Sequence, residues 1–310
     1  MKKILVSIAA LFAAAAMLSA QNMSEATETA KLANESLSAG NYETALAGFQ
    51  EALKMAEACG DEGIELVATC KDIIPKTVNA IAKQLLQEND LDGAIAKFGE
   101  AVAIANEYGD DETAAKAAAL IPQVYMKKGG ALLNAKDFAA AAEAYAKVLE
   151  LEPANGNAAI RYGQCLENSG KGEEAVEAYK LAAANGQEKN AKALLGKFYL
   201  KRSVDELKTK KYADAVKDAI ESNSYTPNPQ CLQIAGQASQ LSGKNNDAIN
   251  YFEQYLEAAP DAKNAGQVAY TVGALYQQAK NNAKAKEFFS KAVNDPKYGA
   301  DAKKALAALK

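Results

Sequence analysis

The sequence predicts an all-α protein, a solenoid of about seven helix pairs closed by a C-terminal capping helix. Three observations predict it. First, the 310 residues are 49% apolar but only 7% aromatic, with no Trp and seven Pro. Such an alanine-rich chain favours closely packed helices over sheets. Second, the spacing aromatic-x-x-Ala-x-x-x-aromatic-x-x-Ala-Leu recurs along most of the chain. Third, a small residue stands twelve positions before the first alanine of every copy.

Copy one reads Tyr42, Ala45, Phe49, Ala52, Leu53, and copy two Leu91, Ala94, Phe98, Ala101, Val102. Copy three is Phe138, Ala141, Tyr145, Val148, Leu149, closed by Pro153. Copy four carries Ala175, Tyr179 and Ala182 after Gly170, and copy five only Tyr212, Ala215 and Ala219. Copy six is Ala248, Phe252, Tyr255, Leu256 and Pro260 after Gly243; copy seven is Ala285, Phe289, Ala292, Val293 and Pro296. Alanine and aromatic at i, i+4, i+7 form the inward face of the second helix of each pair, helix B. The upstream small residues are Ala33, Ala82, Gly129, Gly163, Ser203, Gly236 and Gly273. Each lets the first helix, A, approach B closely.

Copies one to three are spaced by 49 and 47 residues, and the later intervals run 34, 40, 33 and 37. The two long intervals contain Gly60-Asp61-Glu62 and Gly109-Asp110-Asp111, a turn plus N-cap. Both also contain Ile-Pro, at Ile74-Pro75 and Ile121-Pro122, at the same place in the copy. Proline inside a helix kinks it, or marks a new first position. The A helices of the N-terminal third are therefore expected to be long and bent, or broken. Asn223–Pro229 reads as a turn between copies five and six, and Ala300–Leu309 as the capping helix.

These motifs resemble the tetratricopeptide repeat, whose period is about 34 residues. The resemblance covers residues 24–297, although no copy has the family's Trp and copy five lacks the second aromatic. It implies a right-handed superhelix with a concave groove lined by A helices, which generally holds an extended peptide or partner helix. The groove positions it points to are Lys76, Asn79 and Lys83, then Lys127, then Asn157, Arg161 and Gln164. Lys197 and Lys201 follow, then the amides Gln233 and Gln237 between Gln230 and Gln240. Asn34, Gln123, Gln267 and Tyr270 fall on the same frame, and Glu167 is the one acid there. The plain alternative is ordinary solvent-facing polarity. Some family members clamp a C-terminal carboxylate with Lys, Asn and Arg; Asn79 and Lys83 hold two such positions in swapped order, and Arg161 matches a third.

The N-terminus reads as an export leader. Lys2 and Lys3 precede an apolar run from Ile4 to Leu18, and Ser19-Ala20 offers a small-residue cleavage site before Gln21. The apolar run is short for a spanning helix. No Cys follows the cleavage site, so a lipoprotein is not expected. The expected organisation is a leader over 1–20, long repeats over 21–121, more standard repeats over 122–297 and the capping segment over 298–310. The mature chain is expected in the periplasm or secreted, without a transmembrane segment.

Chemistry is constrained by what is missing. There is no His, which removes His-based acid–base and nucleophilic catalysis and the commonest zinc ligand. No phosphate-binding glycine motif or CxxC occurs. Glu88-Asn-Asp90-Leu-Asp92-Gly93 resembles the start of a calcium loop, but Gly99 stands where the twelfth-position acid belongs. Cys59, Cys70, Cys165 and Cys231 sit in a disulfide-permissive compartment, yet their repeat positions do not face one another, and they read as free thiols. No cofactor, metal or nucleic acid is expected of this mildly acidic chain, of net charge -4. The expected function is a non-enzymatic interaction module or scaffold of the bacterial cell envelope, with an acidic segment or free C-terminus as partner. The alternative is an accessory binder of an envelope polymer or glycan.

Overall fold

A computed structural model describes residues 22–309, which are helical apart from short turns and contain no strand. The leader expected over residues 1–20 lies outside the described residues. The chain divides into two compact units, Met1–Gly172 and Glu173–Lys310.

The first unit begins with a helix covering residues 22–38 (α1) and continues with α2 (Tyr42–Ala58). A 3-10 turn, Gly60–Gly63, leads into α3 (Ile64–Gln87), followed by α4 (Leu91–Tyr108). Then come α5 (Asp111–Ala118), α6 (Ile121–Asn134), α7 (Phe138–Leu151) and α8 (Gly156–Asn168). The second unit takes in α9 (Gly172–Ala182), α10 (Glu188–Lys208) and α11 (Tyr212–Tyr225). It ends with α12 (Pro229–Leu241), α13 (Asn245–Ala258), α14 (Ala265–Gln278), α15 (Asn282–Ala292) and α16 (Gly299–Ala308).

Five A helices pack on their B helices: α3 on α4, α6 on α7, α10 on α11, α12 on α13 and α14 on α15. The predicted stripe is the reason. Phe49, Phe98, Tyr145, Tyr179, Phe252 and Phe289 are each at most 3% exposed. Removing such a ring from water contributes about 1.5–3 kcal/mol. The small residue opposite is a steric requirement. A Cβ on Gly236 would stand 2.6 Å from the Phe252 ring, and one on Gly273 would stand 2.7 Å from Phe289. The expected capping helix is α16, which buries Ala302 against the last pair.

The turn between A and B is identical in backbone and variable in sequence. Five residues before the marker alanine, every copy has a left-handed residue: Gly40, Asn89, Lys136, Gly170, Lys210, Gly243 and Lys280. The next residue's amide donates back to the A helix, as in Asp90 N to Leu85 O at 2.9 Å and Lys211 N to Glu206 O at 2.8 Å. This is the Schellman closure of a helix C-terminus, which satisfies carbonyls the helix leaves open.

The two Ile-Pro sites, equivalent in sequence, resolve differently. Pro75 lies inside the continuous α3, whereas Pro122 opens α6 after α5 has ended at Ala118. Proline offers no amide hydrogen to the carbonyl four residues back. Copy two accepts that loss within one helix; copy three breaks there. The segment likened to a calcium loop serves as a cap, because Asp90 Oδ1 accepts from Gly93 N at 3.0 Å. Cys70, Cys165 and Cys231 are buried free thiols, and Cys59 Sγ donates to Met55 O at 3.2 Å.

Candidate partner-binding surfaces

The residues expected to line the groove lie on A helices of both units. On α3, Lys76 is exposed but paired with Asp72 of its own helix at 2.5 Å, and that hydrogen bond raises its pKa above the ordinary lysine value. Lys83, one turn beyond Asn79, is exposed. Asn79 itself is only 8% exposed, and its Oδ1 is buried without a hydrogen-bond partner. Its amide therefore faces protein neighbours rather than open solvent. On α6, Lys127 Nζ donates to Leu86 O at 3.3 Å. This cation sits on the C-terminal carbonyls of α3, where the helix dipole favours positive charge. The contact brings α6 and the end of α3 together.

On α8, Asn157 and Arg161 are exposed and Gln164 is half-buried. Arg161 reaches Gln164 Oε1 at 3.5 Å. The second unit carries Lys197 and Lys201, exposed on α10, and Gln233 and Gln237, half-buried on α12. Among the described residues, Lys83, Lys197 and Lys201 form no ion pair, and Arg161 has no acidic partner.

The A-helix frame gave no hint of a polar cluster in copy five. Arg202 of α10 holds Asp218 of α11 through two hydrogen bonds, the longer at 2.9 Å, and also contacts Glu173 of α9. The Asp218 side chain is 3% exposed. The guanidinium also lies 5.1 Å from the Phe198 ring centre and 4.9 Å from that of Tyr199, both cation–π distances. Hydrogen bonding to Asp218 pushes the Arg202 pKa up, so the charge is permanent.

One turn along α10, Glu206 has a buried Oε2 with no donor in reach. Burial, then the neighbouring Asp218 carboxylate, push Glu206 up to about 7, against the pull of Arg202. Once protonated, Glu206 becomes a donor that Asp218 accepts. The equivalent position is Leu85, Leu132 and Leu166 in copies two to four, and Ala219 stands where the others have an aromatic. Those two substitutions were the signal in the sequence.

The tetratricopeptide repeat family matches residues 132–198 and again 229–262, which span α7–α9 and the α12/α13 pair. The chain carries tetratricopeptide repeats. No curated protein matches it. Among solved structures it is similar to the MamA protein, at 18% identity and a TM-score of 0.36, over 59% of this chain and 96% of that one. It is similar to YrrB, described as a TPR protein with an unusual peptide-binding site, at 20% identity and a TM-score of 0.33, over 60% and 90%. The P58(IPK) TPR domain is similar at 14% identity and a TM-score of 0.29, over 92% and 97%. Function does not transfer from likenesses of this size. The tetratricopeptide repeats themselves make the chain a protein–protein interaction module. Among the described residues no helix is long and apolar enough to cross a membrane.

Proposed function

We propose that this tetratricopeptide repeat protein is a non-catalytic binding module of the bacterial cell envelope, which holds an extended anionic segment of a partner protein along its A helices. The observation that carries the reading is the state of the A-helix cations. Lys83 and Arg161 are exposed on A helices of the first unit and are not neutralised by neighbouring acids. Exposed cations on a surface raise the local concentration of anionic partners. Asn157 and Gln164 beside Arg161 supply the amide donors and acceptors that a peptide backbone needs. The stripe aromatics are all buried, which withdraws them as stacking platforms for a sugar.

Titration of acidic, neutral and basic peptides against the wild type and a Lys83→Ala, Arg161→Ala double variant tests the reading. Acidic peptides should bind the wild type, more weakly as salt rises, and should lose affinity for the variant. Equal affinity for both proteins would remove these helices from consideration. The envelope assignment rests on the leader: N-terminal sequencing of protein from the envelope fraction should begin at Gln21. A cytoplasmic chain still carrying Met1 would overturn it.

A further inference from the structure

The two long repeats build a surface that a repeat of standard length lacks. The added turns are the first half of α3, before Pro75, and the end of α4. Between them lies a cleft of about 610 Å³, lined by Ile64, Val67 and Tyr108 together with the charged Lys71, Asp72 and Asp110. Its start is fixed by backbone contact. A Cβ on Gly63 would stand 1.9 Å from Ala56 O, so only glycine lets α3 begin this close to α2. Ile64 then projects outward at 62% exposure, the most exposed of the large aliphatic side chains among the described residues.

The rim is acidic. Residues 57–76 and 107–116 together hold nine carboxylates against three lysines, a deficit larger than the net charge of -4 on the whole chain. The lysines are already engaged. Lys71 lies 3.5 Å from Glu57 and 5.4 Å from the Tyr108 ring centre. Lys76 pairs with Asp72 and Lys116 with Glu112. Asp110 caps α5, accepting from Thr113 N at 3.0 Å.

We infer that this cleft is a second docking surface, apart from the Lys83 and Arg161 positions, which takes a basic segment of a partner protein with one aliphatic side chain seated against Ile64, Val67 and Tyr108. The apolar floor removes that side chain from water. The carboxylate rim steers and orients the flanking Lys or Arg, and excludes acidic segments by like-charge repulsion. Cations would thus be read by one surface of the first unit and anions by another.

The test uses the full chain and two labelled peptides, a central leucine flanked by lysine and arginine, and its twin flanked by glutamate. The basic peptide should bind and the acidic twin should not bind at this cleft. Ile64→Gln, at an exposed position, should weaken the basic peptide about tenfold, as loss of one well-seated anchor does. Asp61→Asn with Glu65→Gln should weaken it comparably at low salt and less at physiological salt, because exposed charge is screened. Lys83→Ala should leave basic-peptide binding unchanged, which separates this surface from the groove. Failure of the basic peptide to bind, indifference to Ile64→Gln, or equal binding of the twin at the cleft would overturn the inference. Sedimentation in which wild type self-associates and Ile64→Gln does not would instead make the cleft an interface between copies of the chain.

Discussion

Copies five and six stand side by side in the sequence, share one backbone plan and close their hairpins by different physics. In copy six the Phe252 ring of α13 fills the space that Gly236 leaves on α12. In copy five the corresponding pair is Ser203 and Ala219, and the ring is gone. Tyr199 of α10 supplies aromatic volume instead, stacked on Tyr225 at 5.9 Å. The hairpin is tied by Arg202 to Asp218, and Ser222 Oγ donates to Gly196 O at 2.7 Å. The repeat thus specifies a turn and a helix spacing, and either apolar packing or a hydrogen-bonded ion pair can hold them.

The largest expected effect is on the apolar side. Phe252→Ala should cost about 3–5 kcal/mol, read as an earlier loss of hydrogen-exchange protection in α12 to α14. An array of this kind need not melt as one unit. Asp218→Ala is the matching lesion in copy five. It leaves Arg202 without its buried partner, and about 2–3 kcal/mol is expected. That is less than for a fully enclosed pair because the Arg202 side chain is 29% exposed. Its loss should be confined to α9 to α11. An Asp218→Ala protein as stable as wild type would show that Tyr199 and Tyr225 alone carry the hairpin.

Glu206 sharpens the contrast through pH. Its folded pKa stands near 7 against an ordinary 4.5, so the native state keeps a proton that the unfolded chain has released. Its contribution is therefore fully present below about pH 4.5 and lost as pH rises through 7. Asp218 and Asp214 from α11 and Arg202 from α10 are the charges around it. Thermal unfolding followed from pH 5 to 8 should show wild type losing stability with rising pH relative to Glu206→Gln. Parallel curves for the two proteins would mean that Glu206 is ionised throughout.

What was legible in the sequence is what repeats. The stripe aromatics and the small residues opposite them occupy fixed columns, and the structure buries each of those rings. Copy five broke the column, but the sequence alone did not show what replaced the ring. The Arg202–Asp218 pair joins residues on different helices, and either reads by itself as an ordinary surface charge. Pro75 and Pro122 share a repeat position, and whether a helix runs through proline or stops depends on how its flanking turns are packed. For the groove, the A-helix frame located side chains without saying which are already engaged. Lys76 is paired, Lys127 is bonded to a helix end and Asn79 is buried.

The smallest expected effect lies in the turn that copies five and six share. Copy six places Gly243 at φ +77° and copy five places Lys210 at φ +63°. A side chain in this left-handed region costs about 1–2 kcal/mol, because Cβ crowds the following carbonyl oxygen. Glycine avoids that crowding but surrenders about 0.5–1 kcal/mol of extra freedom in the unfolded chain. The difference favours glycine by about 0 to 1.5 kcal/mol. Lys210→Gly should therefore raise the unfolding midpoint slightly and Gly243→Lys should lower it by a similar amount, both measured by denaturant titration. A Cβ on Gly243 would meet nothing within 4 Å, and Lys210 is exposed, so backbone conformation is the main variable in each change. If Lys210→Gly were instead destabilising, the lysine would be contributing something beyond its backbone, and the positive charge on that turn would become the next thing to explain.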